Sequence, residues 1–360
     1  LTIYFICDKV INSKKNKGKT MSKYIENLIK QKKQEELAKL DSVSIVNKIF
    51  SGLKDREKDI LKRRYGLHGK KKETLESIGG LHKLTRERVR QIETASLTKL
   101  RKLDSLDEYI KDIKQSVSEL LREHGGLMKQ GFMLDILTIS LQELRKKELS
   151  EKERNLYKEH FDFIISKLFP ENIDKYLNHN DYHDSYSLKD ISDKHFDDLV
   201  AEAVTKVKSM RQTVKTQELL EILKGLKSYK KHSKQLENKD GADLRKVFEN
   251  SIFPEDSDLI NNNKPLYNFL QTIKHLDQNK FGEWGLSESK EVKPKTINDK
   301  IYLVLKYNKE KPMHFTEIAD RINEVAFDKK KANAATVHNE LILDDRYKLV
   351  GRGLYALKEW

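Results

Sequence analysis

Arg86, Glu87, Arg90 and Gln91 stand at helical spacing inside the run Thr85 to Glu93, TRERVRQIE. These side chain types read base edges in the major groove: arginine pairs bidentately with guanine, glutamine with adenine, and glutamate accepts from the cytosine amino group. Positions 86, 87, 90 and 91 fall on one stripe of a helix, as entry into a single groove requires. For catalysis, the one dense group of potential metal ligands is His179, Asp181, His183 and Asp184. Asn178, Asn180 and Asp181 make that stretch a turn or wing, so its two histidines do not share a helix face. There is no glycine-rich phosphate loop and no nucleophile motif, and the pair Gly125-Gly126 reads as a turn before a helix. The expectation is a protein that is not an enzyme, needs no metal or other cofactor and takes no small-molecule substrate.

The elements that must hold those four side chains are legible on either side. Val89, Ile92, Ser96, Leu97 and Leu100 recur at helical spacing and predict a helix from Thr85 to about Lys102. Ahead of it Thr74 is a candidate N-cap, with Leu75 and Ile78 three apart on a short helix. Two helices joined by a tight turn make a helix-turn-helix. Val43 to Leu67 supplies supporting helices with Ile45, Val46, Ile49, Phe50, Leu53, Ile60, Leu61 and Tyr65 as core, and Gly66, Gly69 and Lys70 to Lys72 form a basic loop. A solvated helix laced with ion pairs is the bland alternative. It does not account for Thr85 to Glu93 standing as a block.

Asp55-Arg56-Glu57 with Ile60-Leu61, Arg64-Tyr65-Gly66-Leu67, Thr74-Leu75-Glu76, Ile78-Gly79 and Thr85 to Glu93 together resemble region four of the sigma-70 family, over about sixty residues. The resemblance implies recognition of a promoter −35 element. Arg86, Glu87, Arg90 and Gln91 would contact bases, and Leu75, Glu76, Thr85 and Arg88 the phosphate backbone. It also implies docking on the flap of the RNA polymerase core. One position departs from the family's usual turn glycine: Lys83, where a positive φ would carry a cost. Few residues precede the match, with Tyr4, Phe5 and Tyr24 but no tryptophan, so recognition without promoter melting is expected.

The charge is concentrated where such a domain needs it. Residues 1–104 hold 27 Lys/Arg against 13 Asp/Glu, while the following 256 residues hold 44 of each, so the whole net charge of +14 belongs to the first part. That is where counterion release from a phosphate backbone would act. The single cysteine, Cys7, excludes an internal disulfide framework and fits a reducing, cytoplasmic location. No stretch is apolar for long enough to span a membrane. Leu1 to Val10 lacks the basic flank and cleavage site of a signal peptide, and translation is expected to start at Met21.

Past Asp104 the chain reads as acid–base balanced and mostly helical, in three loosely similar units. The third is the clearest: helices over Ile297–Tyr307, Thr316–Val325 and Ala334–Leu343, then Tyr347 to Leu357 alternating around a glycine turn as a hairpin. Pro312-Met313-His314-Phe315 with Glu317-Ile318-Ala319, Thr336-Val337-His338 and Gly351-Arg352-Gly353-Leu354-Tyr355-Ala356-Leu357 resemble the HARE helix-turn-helix domain. That family includes the N-terminal domain of the RNA polymerase delta subunit and occurs in chromatin and restriction proteins. If this unit reads DNA, Thr336, His338, Asn339 and Arg352 form a second site.

The predicted fold class is mainly α, a helix-turn-helix domain followed by winged-helix units with small β-hairpin wings. The segments are 1–42, a basic arm and lead-in helix; 43–104, the region-four-like domain; 105–190 and 191–293, two divergent winged helices; and 294–360, the HARE-type winged helix. The function these imply is sequence-specific binding of double-stranded DNA in transcription, beside RNA polymerase. Two alternatives are a polymerase-bound interaction adaptor and a DNA-modification or defence sensor.

Overall fold

In the computed structural model, residues 40–239, 241–250 and 252–360 are described. The basic arm, Met21, Cys7 and the lead-in helix up to residue 39 lie outside them. The fold is mainly α, with three small antiparallel sheets. The described residues form two compact units, one of 40–179, 183–193 and 237–268, the other of 180–182, 194–236 and 269–360. No described helix is long and apolar enough to cross a membrane.

The first unit opens with α1 (Ser42–Phe50), α2 (Asp55–Tyr65), α3 (Leu75–His82) and α4 (Arg86–Arg101). Asp41 caps α1 by accepting from the Ser44 amide at 3.0 Å, and Gly66 ends α2 in the left-handed region at φ 72°. Then come α5 (Leu106–Glu123), β1 (Leu127–Lys129), α6 (Gln130–Arg145) and α7 (Glu151–Phe163), which runs on as a π-helical turn to Leu168. Strands β2 (Ile173–Tyr176) and β3 (Ser185–Leu188) close a sheet of order β1-β3-β2. One continuous apolar core joins Ile45, Ile49 and Phe50 of α1 and Leu97 and Leu100 of α4 to Ile113, Phe132 and Phe161. Phe163 sits edge-on to Phe50 at 5.7 Å and tilted on Tyr65 at 5.1 Å. Polar ties follow the same seam, Arg145 to Asp41 at 2.6 Å and Lys72 to Glu159 at 2.7 Å. Helices α1, α2 and α4 therefore share their core with α7.

In the second unit α8 (Lys194–Met210), β4 (Val214–Lys215) and α9 (Thr216–Gly225) precede the hairpin of β5 (Leu276–Gln278) and β6 (Glu283–Leu286). The chain continues through α10 (Ile297–Lys306), β7 (Met313–His314), α11 (Phe315–Val325), α12 (Ala334–Leu343), β8 (Tyr347–Gly351) and β9 (Leu354–Leu357). Its sheets have the orders β4-β6-β5 and β7-β9-β8, so all three sheets among the described residues put the last strand in the middle. A helix, a short strand, more helices and a hairpin make each a winged unit. Ile301, Val304, Ile318, Ile322, Val337 and Leu341 with Tyr347 and Tyr355 are the core of the last one.

The connection between α3 and α4 is set by two residues. An added Cβ at Gly79 would lie 2.7 Å from the Leu84 carbonyl oxygen, closer than carbon and oxygen can come. That approach lets the Leu84 amide donate to the Gly79 carbonyl at 2.9 Å. Lys83 takes the left-handed conformation, φ 54° and ψ 47°, and its amide donates to the Gly79 and Gly80 carbonyls. The sequence-based concern about Lys83 is thus met by a strained backbone that keeps the turn. Lys83→Gly relieves that strain and is expected to raise stability by about 0.5–1 kcal/mol, whereas Gly79→Ala lowers it; urea unfolding of the two variants reads both signs.

Two buried histidines make the fold sensitive to acid. His124 and His160 are fully buried; each Nδ1 donates to the carbonyl four residues back, at 2.8 and 2.7 Å, and neither Nε2 has a hydrogen-bond partner. His68 packs edge-on to His160 at 4.7 Å, and its Nε2 is also unpartnered. Burial pushes both His124 and His160 down to about 4. An unfolded histidine titrates near 6.5, so below that pH the unfolded chain takes up protons the folded chain refuses. Stability is full above about 6.5 and is lost as pH falls towards 4, on the order of 2 kcal/mol per histidine by pH 5. Thermal melts from pH 7.5 to 5 are expected to show this loss, with a shallower fall in His160→Gln; parallel curves for the two proteins would refute the assignment.

Candidate nucleic-acid interface

Helix α4 starts where Thr85 leaves extended backbone, its Oγ1 accepting from the Arg88 amide at 3.2 Å. Glu87 in the first turn and Lys99 and Arg101 in the last complement the helix dipole. Val89, Ser96, Leu97 and Leu100 face inward. At the centre of the helix-turn-helix, Ile60 of α2, Ile78 of α3 and Val89 of α4 meet with no exposure, and Leu75, Leu84 and Ile92 pack around them. A charged frame holds the same helices from outside. Arg63 donates to Asp59 and to Glu73, both at 2.8 Å, and His82 meets Asp59 at 2.9 Å. The guanidinium and the imidazole keep the Asp59 carboxyl below its usual range against the opposing effect of burial.

With the inner face locked, the outer face carries the four side chains of the predicted stripe. Arg86, Glu87, Arg90 and Gln91 are all exposed, as are Arg88, Thr85 and Glu76, and Leu75 is half-buried. They are not independent of one another. Arg90 forks onto Glu87 through Nε at 2.9 Å and Nη2 at 2.7 Å, and Arg88 Nη1 donates to Gln91 Oε1 at 3.0 Å. The Arg90 guanidinium holds the Glu87 carboxyl below its usual range, and Glu87 in turn raises Arg90. At full exposure such pairs add little stability. They do hold the ends of long side chains in register on one face. Leu75 and Glu76 are the first two residues of α3, so what they offer a phosphate is the unsatisfied backbone N–H of a helix start.

Sequence reasoning gave no role to Lys70, Lys71 and Lys83. All three are exposed and make no side-chain ion pair among the described residues, and Lys83 stands on the turn two residues before Thr85. The signal was present at residue 83, a lysine where glycine would cost less. The second predicted set is divided by the structure. Thr336 and Asn339 are exposed on α12 and Arg352 is exposed at the β8–β9 tip between Gly351 and Gly353. His338 instead packs half-buried between Phe315 at 4.6 Å and Tyr355 at 5.9 Å. His179 and His183 lie in the connection between β2 and β3, with His179 edge-on to Tyr176 at 5.7 Å. Asp181 pairs with His275 at 2.8 Å. No group of three or more His, Cys, Asp or Glu is placed to hold a metal among the described residues.

The sequence of this helix-turn-helix has counterparts among known proteins. Residues 49–102 match the family Sigma-70, region 4. The RNA polymerase sigma factor SigA of Nostoc sp. is 45% identical over 69 residues, 18% of either chain. SigA1 of Synechococcus elongatus is 48% identical over 66 residues, 18% of this chain and 16% of that protein, and SigA of Lactococcus lactis subsp. cremoris is 43% identical over 56 residues, 16% and 15%. The chain therefore spans less than a fifth of these relatives' length. No solved structure matches it. Helices α2 to α4, with the end of α1, are a sigma-70 region 4 helix-turn-helix.

Proposed function

We propose that this chain is a sequence-specific DNA-binding transcription regulator that works beside RNA polymerase and recognises a −35-like element without melting the promoter. One observation carries the reading: a stripe of Arg86, Glu87, Arg90 and Gln91 stands exposed on α4 while Ile60, Ile78 and Val89 lock that helix from behind. Its ligand is double-stranded DNA, its partner the flap of the RNA polymerase core, and its location the cytoplasm; it carries out no catalysis of its own. The last winged unit, 294–360, is read as a HARE-type domain of the kind found in the polymerase delta subunit. A capping box of Thr296 and Asp299 on α10, a second of His314 and Glu317 on α11, and the β7-β9-β8 sheet support that reading.

A specific feature favours a second reading, a polymerase-bound adaptor in which DNA contact is incidental. Ile342 and Leu343 at the end of α12 are 62% and 82% exposed, and Leu349 on the edge strand β8 is 63% exposed. Apolar side chains so placed suit a protein partner. Enrichment of bound duplexes from a random pool separates the readings. The wild-type chain is expected to enrich a −35-like motif, and Arg86→Ala with Arg90→Ala to lose it; salt-sensitive binding without a motif would leave the adaptor. Arg90→Ala alone is expected to weaken the enriched site roughly ten- to a hundredfold and to relax one base position. Equal weakening on every sequence, measured by titration at fixed salt, would argue against base readout.

A further inference from the structure

Beyond residue 104 the chain is neutral in bulk, yet four lysines of the second unit stand exposed without a salt bridge among the described residues. Phe281, at the tip of the β5–β6 hairpin, stacks on Tyr307 just past α10, centroids 4.0 Å apart and planes 15° apart. It also lies 6.0 Å from Phe327, in the turn between α11 and α12. The tip is fixed: Asn279 Nδ2 donates to the Tyr307 hydroxyl at 3.1 Å, and Asn279 Oδ1 accepts from the Phe281 amide at 2.9 Å. The hairpin carries Lys280 next to Phe281, and the turn that Phe281 meets through Phe327 carries Lys329, Lys330 and Lys331.

That turn is itself rigid. Asn323 pins its far end, donating to the Ala332 carbonyl at 3.1 Å and accepting from the Ala332 amide at 2.7 Å, and Asp328 accepts from the Lys330 amide at 2.8 Å. Of the nearby acids, Asp328 meets the buried ammonium of Lys300 at 2.7 Å and lies within electrostatic reach of Lys330, Glu324 meets Arg321 at 2.9 Å, and Glu283 of the hairpin accepts from the Tyr307 hydroxyl. Lys280, Lys329, Lys330 and Lys331 are exposed and make no ion pair among the described residues. Exposed ammonium groups on two loops with tied backbones, joined through Phe281 and Phe327, suit regularly spaced phosphates. Just beyond them, α12 presents the exposed, uncharged Ala335, Thr336 and Asn339.

We propose that Lys280, Lys329, Lys330 and Lys331 form a composite site for the phosphate backbone of duplex DNA, separate from α4, in which the hairpin of one winged unit completes the binding edge of the next. The site is sequence-independent and supplies a second hold on DNA to a protein whose specificity resides in α4.

The test uses the full chain and a 30-base-pair duplex of random sequence, with binding measured by fluorescence anisotropy over a range of salt. Replacing all four lysines by alanine is expected to lower the magnitude of the log K against log salt slope by about 2 to 3, at about 0.9 per phosphate contact. The same variant keeps its thermal stability and the sequence preference of the wild type, whereas Arg86→Ala with Arg90→Ala loses the preference. Phe281→Ala, which frees the hairpin with its lysine intact, is expected to reproduce the loss seen in Lys280→Ala, and the double variant to add nothing further. An unchanged slope in the fourfold variant would overturn the site while leaving the α4 reading intact. Unchanged DNA binding with weakened capture of purified polymerase core would overturn it in favour of a protein partner. Additive effects of Phe281→Ala and Lys280→Ala would refute the composite arrangement.

Discussion

Residue 79 has room for a hydrogen atom and nothing larger. Because Gly79 carries no Cβ, the Leu84 carbonyl can sit against its Cα and the Leu84 amide can close back onto the end of α3. The angle between α3 and α4 follows from that contact, and with it the meeting of Ile60, Ile78 and Val89. An exposed polar face needs such a buried reverse: side chains paired only with one another in solvent cannot also position their own helix. Lys83 bears the conformational cost of the turn, while Gly79 supplies the space.

The helix-turn-helix is small, and the rest of the first unit completes it. Three apolar residues with no exposure are a thin core for three helices. Phe163, between Phe50 and Tyr65, joins α1 and α2 to the larger core around Phe132 and Phe161. The cost of this seam lies in its polar residues: His68 and His160 face each other there, each with an unpartnered Nε2. Neutral imidazoles fit such a site and charged ones do not, so the seam that stabilises the reader at neutral pH weakens it in acid.

Repetition organises the remainder. Three sheets share one strand order, but the three hairpins have different surroundings. Tyr186 in the first hairpin is fully buried and its hydroxyl meets Asp162. The second stacks Phe281 on Tyr307. The third leaves Leu349 and Val350 in solvent on its edge strand. One topology thus serves in packing, in joining neighbouring units and in presenting a surface.

The sequence by itself determined the helix-turn-helix: local spacing places Arg86, Glu87, Arg90 and Gln91 on one stripe, caps at Thr74 and Thr85 set the helix starts, and apolar periodicity gives the inner face. The helices and hairpin of the last unit were legible for the same reason, since caps, glycine turns and alternation act over a few residues. Other features depended on groups far apart in the chain. The shared core of α1, α4 and α7, the facing of His68 and His160, and the meeting of Phe281 with Phe327 each join segments tens of residues apart. No local pattern marks such partners. His338 shows the same limit, because its helix position suits a base reader while Phe315 and Tyr355 take its ring into packing. Tertiary structure decided these points, because burial and charge pairing depend on which surfaces the folded chain brings together.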